Sequence, residues 1–194
     1  MTDDGLEGEY VEFLAELRAL SEASGEASEN GFFETYAALA ADNGDCPDLS
    51  SCSIVREGRG GYRIDGYAFD VERGIYYAAI CDTRDSSSLE TLNAAQLAAL
   101  NTRARRFVEQ LLEPEFSAAP GSAEDDAGGM IARQPSLLKR VQILVFSGAK
   151  LSTRRPPELS GEIGGRPVVS NILDFARYIA ISRSKGSVEP IAID

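Results

Sequence analysis

Apolar side chains recur every three or four residues in five segments of the chain, with polar residues between them. This spacing puts the apolar residues on one side of an α-helix and is typical of helices that pack on a protein core. Pro114 ends the longest segment, and Asp174 is placed to cap the last one. The pattern therefore predicts helices over residues 6–20, 28–44, 93–112, 130–138 and 174–179.

Short runs of aromatic and β-branched residues predict strands between these helices. Val71-Glu72-Arg73-Gly74 joins two of the runs, and this polar turn predicts a β-hairpin. Gly58-Arg59-Gly60-Gly61 also lies between two strands, so we interpret it as a hairpin turn rather than a phosphate-binding loop. The predicted strands are residues 52–56, 62–69, 75–80, 141–146 and 166–173.

The order of these elements predicts an α/β fold, with a mixed β-sheet flanked by helices. Three sequential strands are followed by a helical crossover to a fourth strand, which is typical of a layered α/β sandwich. A chain of 194 residues suits a single domain over residues 1–194. Residues 113–129 are rich in Pro, Gly, Ser and acids, so they are expected to form an internal flexible loop.

The negative charge of the chain is confined to its first quarter. Residues 1–50 contain 13 acidic side chains against Arg18 alone, whereas residues 51–194 are balanced, so the net charge of −12 comes from the first segment. This distribution argues against binding nucleic acid through net charge. A local basic face remains possible from Arg103, Arg105, Arg106, Lys139, Arg140, Lys150, Arg154 and Arg155, although a solvated surface is the simpler interpretation.

The absence of histidine excludes several kinds of enzyme. Ser-His-Asp and Cys-His hydrolysis, HExxH metalloproteolysis and zinc deamination all require imidazole, and there is no P-loop motif. The three cysteines are not spaced as CxxC pairs, which favours a reducing compartment. No apolar run is long enough to span a membrane, so we expect a cytoplasmic protein without a membrane partner.

Two aspartates in the predicted hairpin are the candidates for chemistry. Antiparallel pairing would bring Asp65 and the Cys81-Asp82 end of the next strand to the same end of the hairpin. Two carboxylates about 4 Å apart repel by roughly 4 kcal/mol near a protein surface. In a folded protein this repulsion is relieved by a bound metal ion, by a nearby arginine, or by a raised pKa of one carboxyl group.

The succession of elements resembles the α-β-β-β-α-β core of the PD-(D/E)xK, or restriction-endonuclease-like, nucleases. That resemblance implies Asp65 and Asp82 as ligands of Mg²⁺ or Mn²⁺, Glu34 as a helical acid, and Arg84 in place of the usual lysine. Arginine stays charged and cannot exchange a proton as lysine can, so the motif is degenerate. The alternatives remain open that Asp65 pairs with Arg63 or Arg84, and that Glu34 simply faces solvent.

The whole chain resembles the N-terminal domain of the abortive-infection phage-resistance (AIPR) proteins. The resemblance covers the acidic first helix, Phe32-Phe33-Glu34, residues 60–67, residues 75–82 and several later apolar positions up to Glu189-Pro190-Ile191. It implies a role in bacterial defence against phage but supplies no catalytic residues. Members are longer, and this chain stops within an alternating apolar run, so we expect an N-terminal fragment whose partner is the remainder of its own chain.

Three hypotheses for function follow. The first is a non-catalytic, nuclease-like sensor or interaction domain that needs no cofactor. The second is an active Mg²⁺-dependent nuclease that uses Asp65 and Asp82. The third is an oligomerisation domain in which the first helix packs between copies.

Overall fold

A six-stranded β-sheet lies between two layers of helices in the computed structural model, which describes residues 3–25, 28–84, 86–153 and 157–186. The helices are α1 (Asp3–Ser24), α2 (Ser28–Asp42), α3 (Ala94–Leu111), α4 (Ala123–Arg133) and α5 (Phe175–Gly186). The strands are β1 (Ser50–Arg56), β2 (Tyr62–Asp70), β3 (Ile75–Asp82), β4 (Thr91–Leu92), β5 (Arg140–Ser147), β6 (Lys150–Leu151), β7 (Gly161–Ile163) and β8 (Arg166–Leu173).

The sheet is mixed, as the sequence predicts. Its strand order is β1-β2-β3-β5-β8-β7. β1, β2 and β3 form an antiparallel meander, β3, β5 and β8 run parallel, and β7 returns antiparallel on the far edge. The crossover from β3 to β5 runs through α3 and α4, so the carboxyl ends of β3 and β5 meet at one edge of the sheet. β4 and β6 form a small two-stranded ladder beside that edge.

Both faces of the central strands are buried. Tyr76, Ala78 and Ile80 of β3 pack with α3 and α4, whereas Tyr77, Ala79 and Cys81 pack with α1, α2 and α5. Side chains alternate between the two faces of a strand, so a strand covered on both sides is apolar throughout rather than alternating. This explains why residues 75–81 form a continuous apolar run.

The first side of the sheet is covered mainly by α3. Its start is fixed by a capping box, in which Asn93 Oδ1 accepts from the Gln96 backbone N–H and Gln96 Oε1 accepts from the Asn93 N–H. Leu97, Phe107 and Leu111 then lie on one buried side of the helix. The sequence prediction for residues 93–112 is confirmed.

The prediction of a loop over residues 113–129 is wrong in its second half. α4 begins at Ala123, where Ser122 Oγ accepts from the Asp125 N–H as the N-cap. The pair Gly128-Gly129 suggests a helix break in sequence, but both glycines lie inside α4. Gly128 is there because α4 packs closely on α3, and a Cβ at that position would overlap the side chain of Leu111.

Other predictions had mixed outcomes. The hairpin turn at residues 71–74 and the turn at residues 58–61 are confirmed, and Gly58, Gly60 and Gly74 all have positive φ. The short strands β4, β6 and β7 were not predicted, because two or three residues carry no periodicity. Arg154, Arg155 and the apolar run at residues 188–193 lie outside the described residues.

Candidate functional site

Asp65 is part of the pairing between β2 and β3. The backbone pairs run from Asp70–Ile75 to Gly66–Ala79. Beyond these pairs, Asp65 Oδ2 accepts a hydrogen bond of 2.7 Å from the Cys81 backbone N–H. A side-chain oxygen of β2 therefore takes the place of a backbone carbonyl as the acceptor for β3. Asp65 Oδ1 accepts from Arg63 Nε at 2.9 Å. Arg63 and Asp65 are two residues apart on one strand, which puts them on the same face.

Asp82, at the end of β3, is held by three donors. Its Oδ2 accepts from Arg84 Nε at 3.1 Å, from Arg84 Nη2 at 2.8 Å and from Ser147 Oγ at 2.7 Å. Arg84 Nη1 also donates to Glu90 Oε2 at 2.6 Å. The side chains of Arg84 and Asp82 are only 16% and 14% exposed, so these charges are mostly removed from water. Asp82, Arg84 and Glu90 therefore form a charged network at the strand end, which we call the Arg84 network.

The pKa of Arg84 reflects this network. Burial lowers the pKa of the guanidinium, but the hydrogen bonds and charges of Asp82 and Glu90 raise it, and the net pKa is above its ordinary value. Arg63 behaves in the same way beside Asp65. Both arginines stay positively charged at every pH at which the protein is folded, so neither can act as a proton donor or acceptor.

The two aspartates reach the same end of the hairpin but do not face each other. Cys81 packs with the α1, α2 and α5 side of the sheet, and Asp82, the next residue, points to the opposite side of β3. Asp65 lies on the α2 side, in a small cavity that Phe33 also lines. Each carboxylate has its own arginine rather than a shared ligand.

Glu34 is exposed on α2 and contributes nothing to this region. The acid of α2 that does approach it is Glu29, which lines the cavity around Asp65 together with Thr83. Sequence reasoning missed Glu29, although a signal was present. It precedes Phe32 and Phe33 by three and four residues, so it shares their side of the helix, whereas Glu34 does not.

The residues present do not fit a magnesium site. Within the described part of the chain, no group of three or more His, Cys, Asp or Glu side chains is arranged to hold a metal ion. Both carboxylate oxygens of Asp65 and Oδ2 of Asp82 already accept hydrogen bonds from Arg63, Cys81, Arg84 and Ser147. A cation bound by these oxygens would have to displace an arginine from a partly buried ion pair, which carries a desolvation cost for the released charge.

A groove opens beside the Arg84 network, between α1, α2 and the ends of β3 and β5. Its volume is about 170 Å³. We call it the α1–α2 groove. It is lined by Tyr10, Phe13, Leu14, Leu17 and Arg18 of α1, by Ser28, Glu29 and Phe32 of α2, and by Thr83, Arg84, Ser86 and Gly148.

Helix α1 fixes the loop that follows β3. Glu7 Oε1 accepts from the Leu89 backbone N–H at 3.0 Å, and the Tyr10 hydroxyl donates to the Ser86 carbonyl at 3.4 Å. Burial raises the pKa of Tyr10, and so do Glu90, Glu7 and Asp82, whereas Arg84 acts against them. Together these three acids outweigh Arg84 at the Tyr10 hydroxyl.

Three of the predicted basic-face residues bind the protein itself. Arg103 pairs with Glu57 at 3.2 Å, Arg105 donates to the Glu162 carbonyl, and Arg106 donates to the Gly61 carbonyl. These contacts hold α3 to the β1–β2 turn and to β7. They support the interpretation of this side as a solvated structural surface.

The fold and this region define an α/β protein with a mixed sheet and a charge-neutralised strand end. The sequence profile of the abortive infection phage resistance protein N-terminal domain matches residues 32–179, and the chain belongs to that family. The match begins after α1 and includes the whole sheet. No curated protein and no solved structure matches the chain. None of the described helices is both long and apolar enough to cross a membrane.

Proposed function

We propose that this chain is a non-catalytic sensor or interaction domain of an abortive-infection phage-defence protein. The observation that carries the proposal is that Asp65 and Asp82 are each neutralised by an arginine of their own, Arg63 and Arg84. Two-metal or one-metal phosphodiester cleavage needs carboxylates that are free to bind the ion. The family membership supplies the defence context.

A second function, an active Mg²⁺-dependent nuclease, is supported by the order β1-β2-β3-α3-β5 and by two aspartates at one end of the β2–β3 hairpin. It would require Arg63 and Arg84 to leave their carboxylates. The likeness to the PD-(D/E)xK core remains a prediction, because no solved structure matches.

The third hypothesis, assembly through α1, has less support. Leu6, Tyr10, Phe13 and Leu17, the apolar stripe of this helix, pack within the protein's own core. Val11 and Leu20 are its large exposed apolar residues, and they lie nine positions apart on opposite sides of the helix. Light scattering at high protein concentration tests this hypothesis, and we expect a monomer.

Calorimetric titration of Mn²⁺ distinguishes the first two functions. We expect no saturable heat with the natural sequence, since both carboxylates are paired. Asp65→Ala and Asp82→Ala are the matched variants, with circular dichroism to confirm that each remains folded. Saturable binding that either substitution abolishes would overturn the proposal. A cleavage assay with Mn²⁺ on single- and double-stranded DNA and RNA is the second measurement, and we expect no product.

A further inference from the structure

We propose that the α1–α2 groove binds a free α-amino acid with a large apolar side chain. This inference rests on the proposed function, because it names the class of ligand that a sensor domain of this kind would detect. Three observations support it: the apolar floor of the groove, two charges of opposite sign that line it, and hydrogen-bond donors that remain available on a fixed arginine.

The floor of the groove suits an apolar side chain of moderate size. Phe13, Leu17 and Phe32 are buried around it, and Leu14 is half-buried. A cavity of about 150 Å³ lined by Leu, Ile and Phe can hold a benzene molecule. The groove has about 170 Å³, so it offers enough space for the ring of phenylalanine. Small-molecule sites commonly combine such an apolar surface with a few polar groups that orient the ligand.

Two side chains of opposite charge line the groove without pairing with each other. Arg18 of α1 and Glu29 of α2 are both exposed, and neither side chain has an ion pair or a hydrogen bond within the part of the chain that the structure describes. Arg63, another arginine near the end of the hairpin, is paired with Asp65. The charges of Arg18 and Glu29 are therefore available to a ligand that has both a carboxylate and an ammonium group.

Arg84 adds donors that are already fixed in place. A guanidinium has five N–H groups. In Arg84, Asp82 Oδ2 accepts from two of them and Glu90 Oε2 from one, so two of the five have no acceptor among the described residues. The side chain is 16% exposed and lines the groove. A ligand carboxylate would therefore meet donors that need little reorganisation to bind it.

A ligand with both charges fits this lining better than a simple ion. A cation would meet Arg18 and Arg84 in the groove. An anion would meet Glu29 and the acids around it, since the sequences of α1 and α2 contain ten acids against Arg18 alone. An α-amino acid has no net charge, so the surrounding acids do not repel it as they would an anion. Each of its charged groups has an opposite charge in the groove.

L-Phenylalanine is the probe, titrated into the whole chain at about 0.15 M salt so that general charge effects are screened. Binding is followed by amide NMR spectra, in which residues that line the groove, such as Thr83 and Gly148, should shift. Phenethylamine lacks the carboxylate, 3-phenylpropionate lacks the ammonium group, and glycine lacks the ring. We expect saturable binding of phenylalanine and at least about tenfold weaker binding of each analogue. No saturable binding of phenylalanine, or equal affinity for any analogue, would overturn the inference.

Two substitutions test the charges of the groove separately. Arg18→Gln should reduce the preference for phenylalanine over phenethylamine, and Glu29→Gln should reduce the preference over 3-phenylpropionate, by about fivefold in each case. Glu34→Gln is the control, because it removes the same charge from the same helix but outside the groove. We expect it to change phenylalanine binding less than about twofold. Equal effects of Glu29→Gln and Glu34→Gln, or unchanged preferences, would mean that the groove is not the site.

The outcomes also separate this inference from the proposed function. If phenylalanine fails to bind and Mn²⁺ gives no saturable heat, the inference fails, whereas the domain remains non-catalytic and acts through a partner of another class. If Mn²⁺ binds saturably through Asp65 and Asp82, the proposed function fails irrespective of the result with phenylalanine.

Discussion

Two aspartates show why the function of a carboxylate cannot be assigned from its position in a strand. Asp65 substitutes for a backbone acceptor, and Asp82 holds Arg84, which lies in the loop that leads into α3. Both tasks use the carboxylate oxygens as hydrogen-bond acceptors, and metal binding would need the same oxygens. The nearby arginine decides between the two uses, because it occupies the same oxygens.

The Arg84 network can be tested by removing its cation. Arg84→Met leaves Asp82 and Glu90 without their counter-charge in a region that is mostly shielded from water. We expect the free energy of unfolding in urea to fall by about 2–4 kcal/mol, less than for a fully buried pair because Glu90 is 42% exposed.

The matched control is Arg133→Met, which removes an arginine that is 67% exposed and pairs with Asp125. That change is expected to cost less than about 1 kcal/mol. Adding Asp82→Asn to Arg84→Met should restore part of the loss. Equal effects of the two arginine substitutions would show that the network does not stabilise the strand end.

At the scale of elements, the close packing of α3 on α4 depends on a residue without a side chain. Gly128→Ala would push a Cβ into Leu111, which is 1% exposed and has little freedom to move. We expect a loss of about 1–3 kcal/mol from overpacking, which exceeds the gain in helix propensity.

Gly8→Ala is the comparison for this substitution. Gly8 lies inside α1 with nothing within 4 Å of the added Cβ, so alanine there should stabilise the protein by about 0.5–1 kcal/mol. Thermal unfolding of both variants shows whether each substitution stabilises or destabilises the protein. A stabilising Gly128→Ala would mean that α3 and α4 do not pack as closely as described.

The helices and strands that could be predicted from the sequence are those whose apolar residues recur at a regular spacing. The central strands β2, β3, β5 and β8 and the helix α3 were predicted because each has enough apolar positions to show periodicity. The segment that contains Gly128 was predicted as a loop because the reason for this glycine, close contact with Leu111, comes from a residue 17 positions away along the chain. The β4–β6 ladder has two residues per strand and depends entirely on tertiary contacts.

Some contacts of the candidate site could be predicted from the sequence, and others could not. The pairing of Asp65 with Arg63 was among the alternatives open from sequence, because residues two apart on a strand share a face. The link from Arg84 to Glu90 crosses an irregular loop, for which sequence gives no geometric rule. Glu29 could have been found from its spacing to Phe32 and Phe33, whereas the groove beside it depends on how α1 and α2 pack.

For the whole molecule, buried thiols and phenols make the folded state sensitive to alkaline pH. Burial raises the pKa of Cys46 to about 11 and that of Cys52 to about 12, and it also raises the pKa values of Tyr36 and Tyr76. In the unfolded chain the thiols lose their protons near pH 9. Between about pH 9 and pH 11 the unfolded state therefore binds fewer protons than the folded state, and the stability falls as pH rises.

Urea unfolding at about pH 8 and about pH 11 measures this loss. The contribution of a thiol is complete below the unfolded pKa and disappears as pH rises through the folded pKa, so Cys46 alone should account for about 2 kcal/mol. Cys46→Ala should lower the stability at the lower pH, because it leaves a small void, and should also flatten the decline toward higher pH. An unchanged pH slope in that variant would show that Cys46 ionises as readily in the folded protein as in the unfolded chain, and the other buried thiols, Cys52 and Cys81, and the tyrosines would then have to account for the alkaline transition.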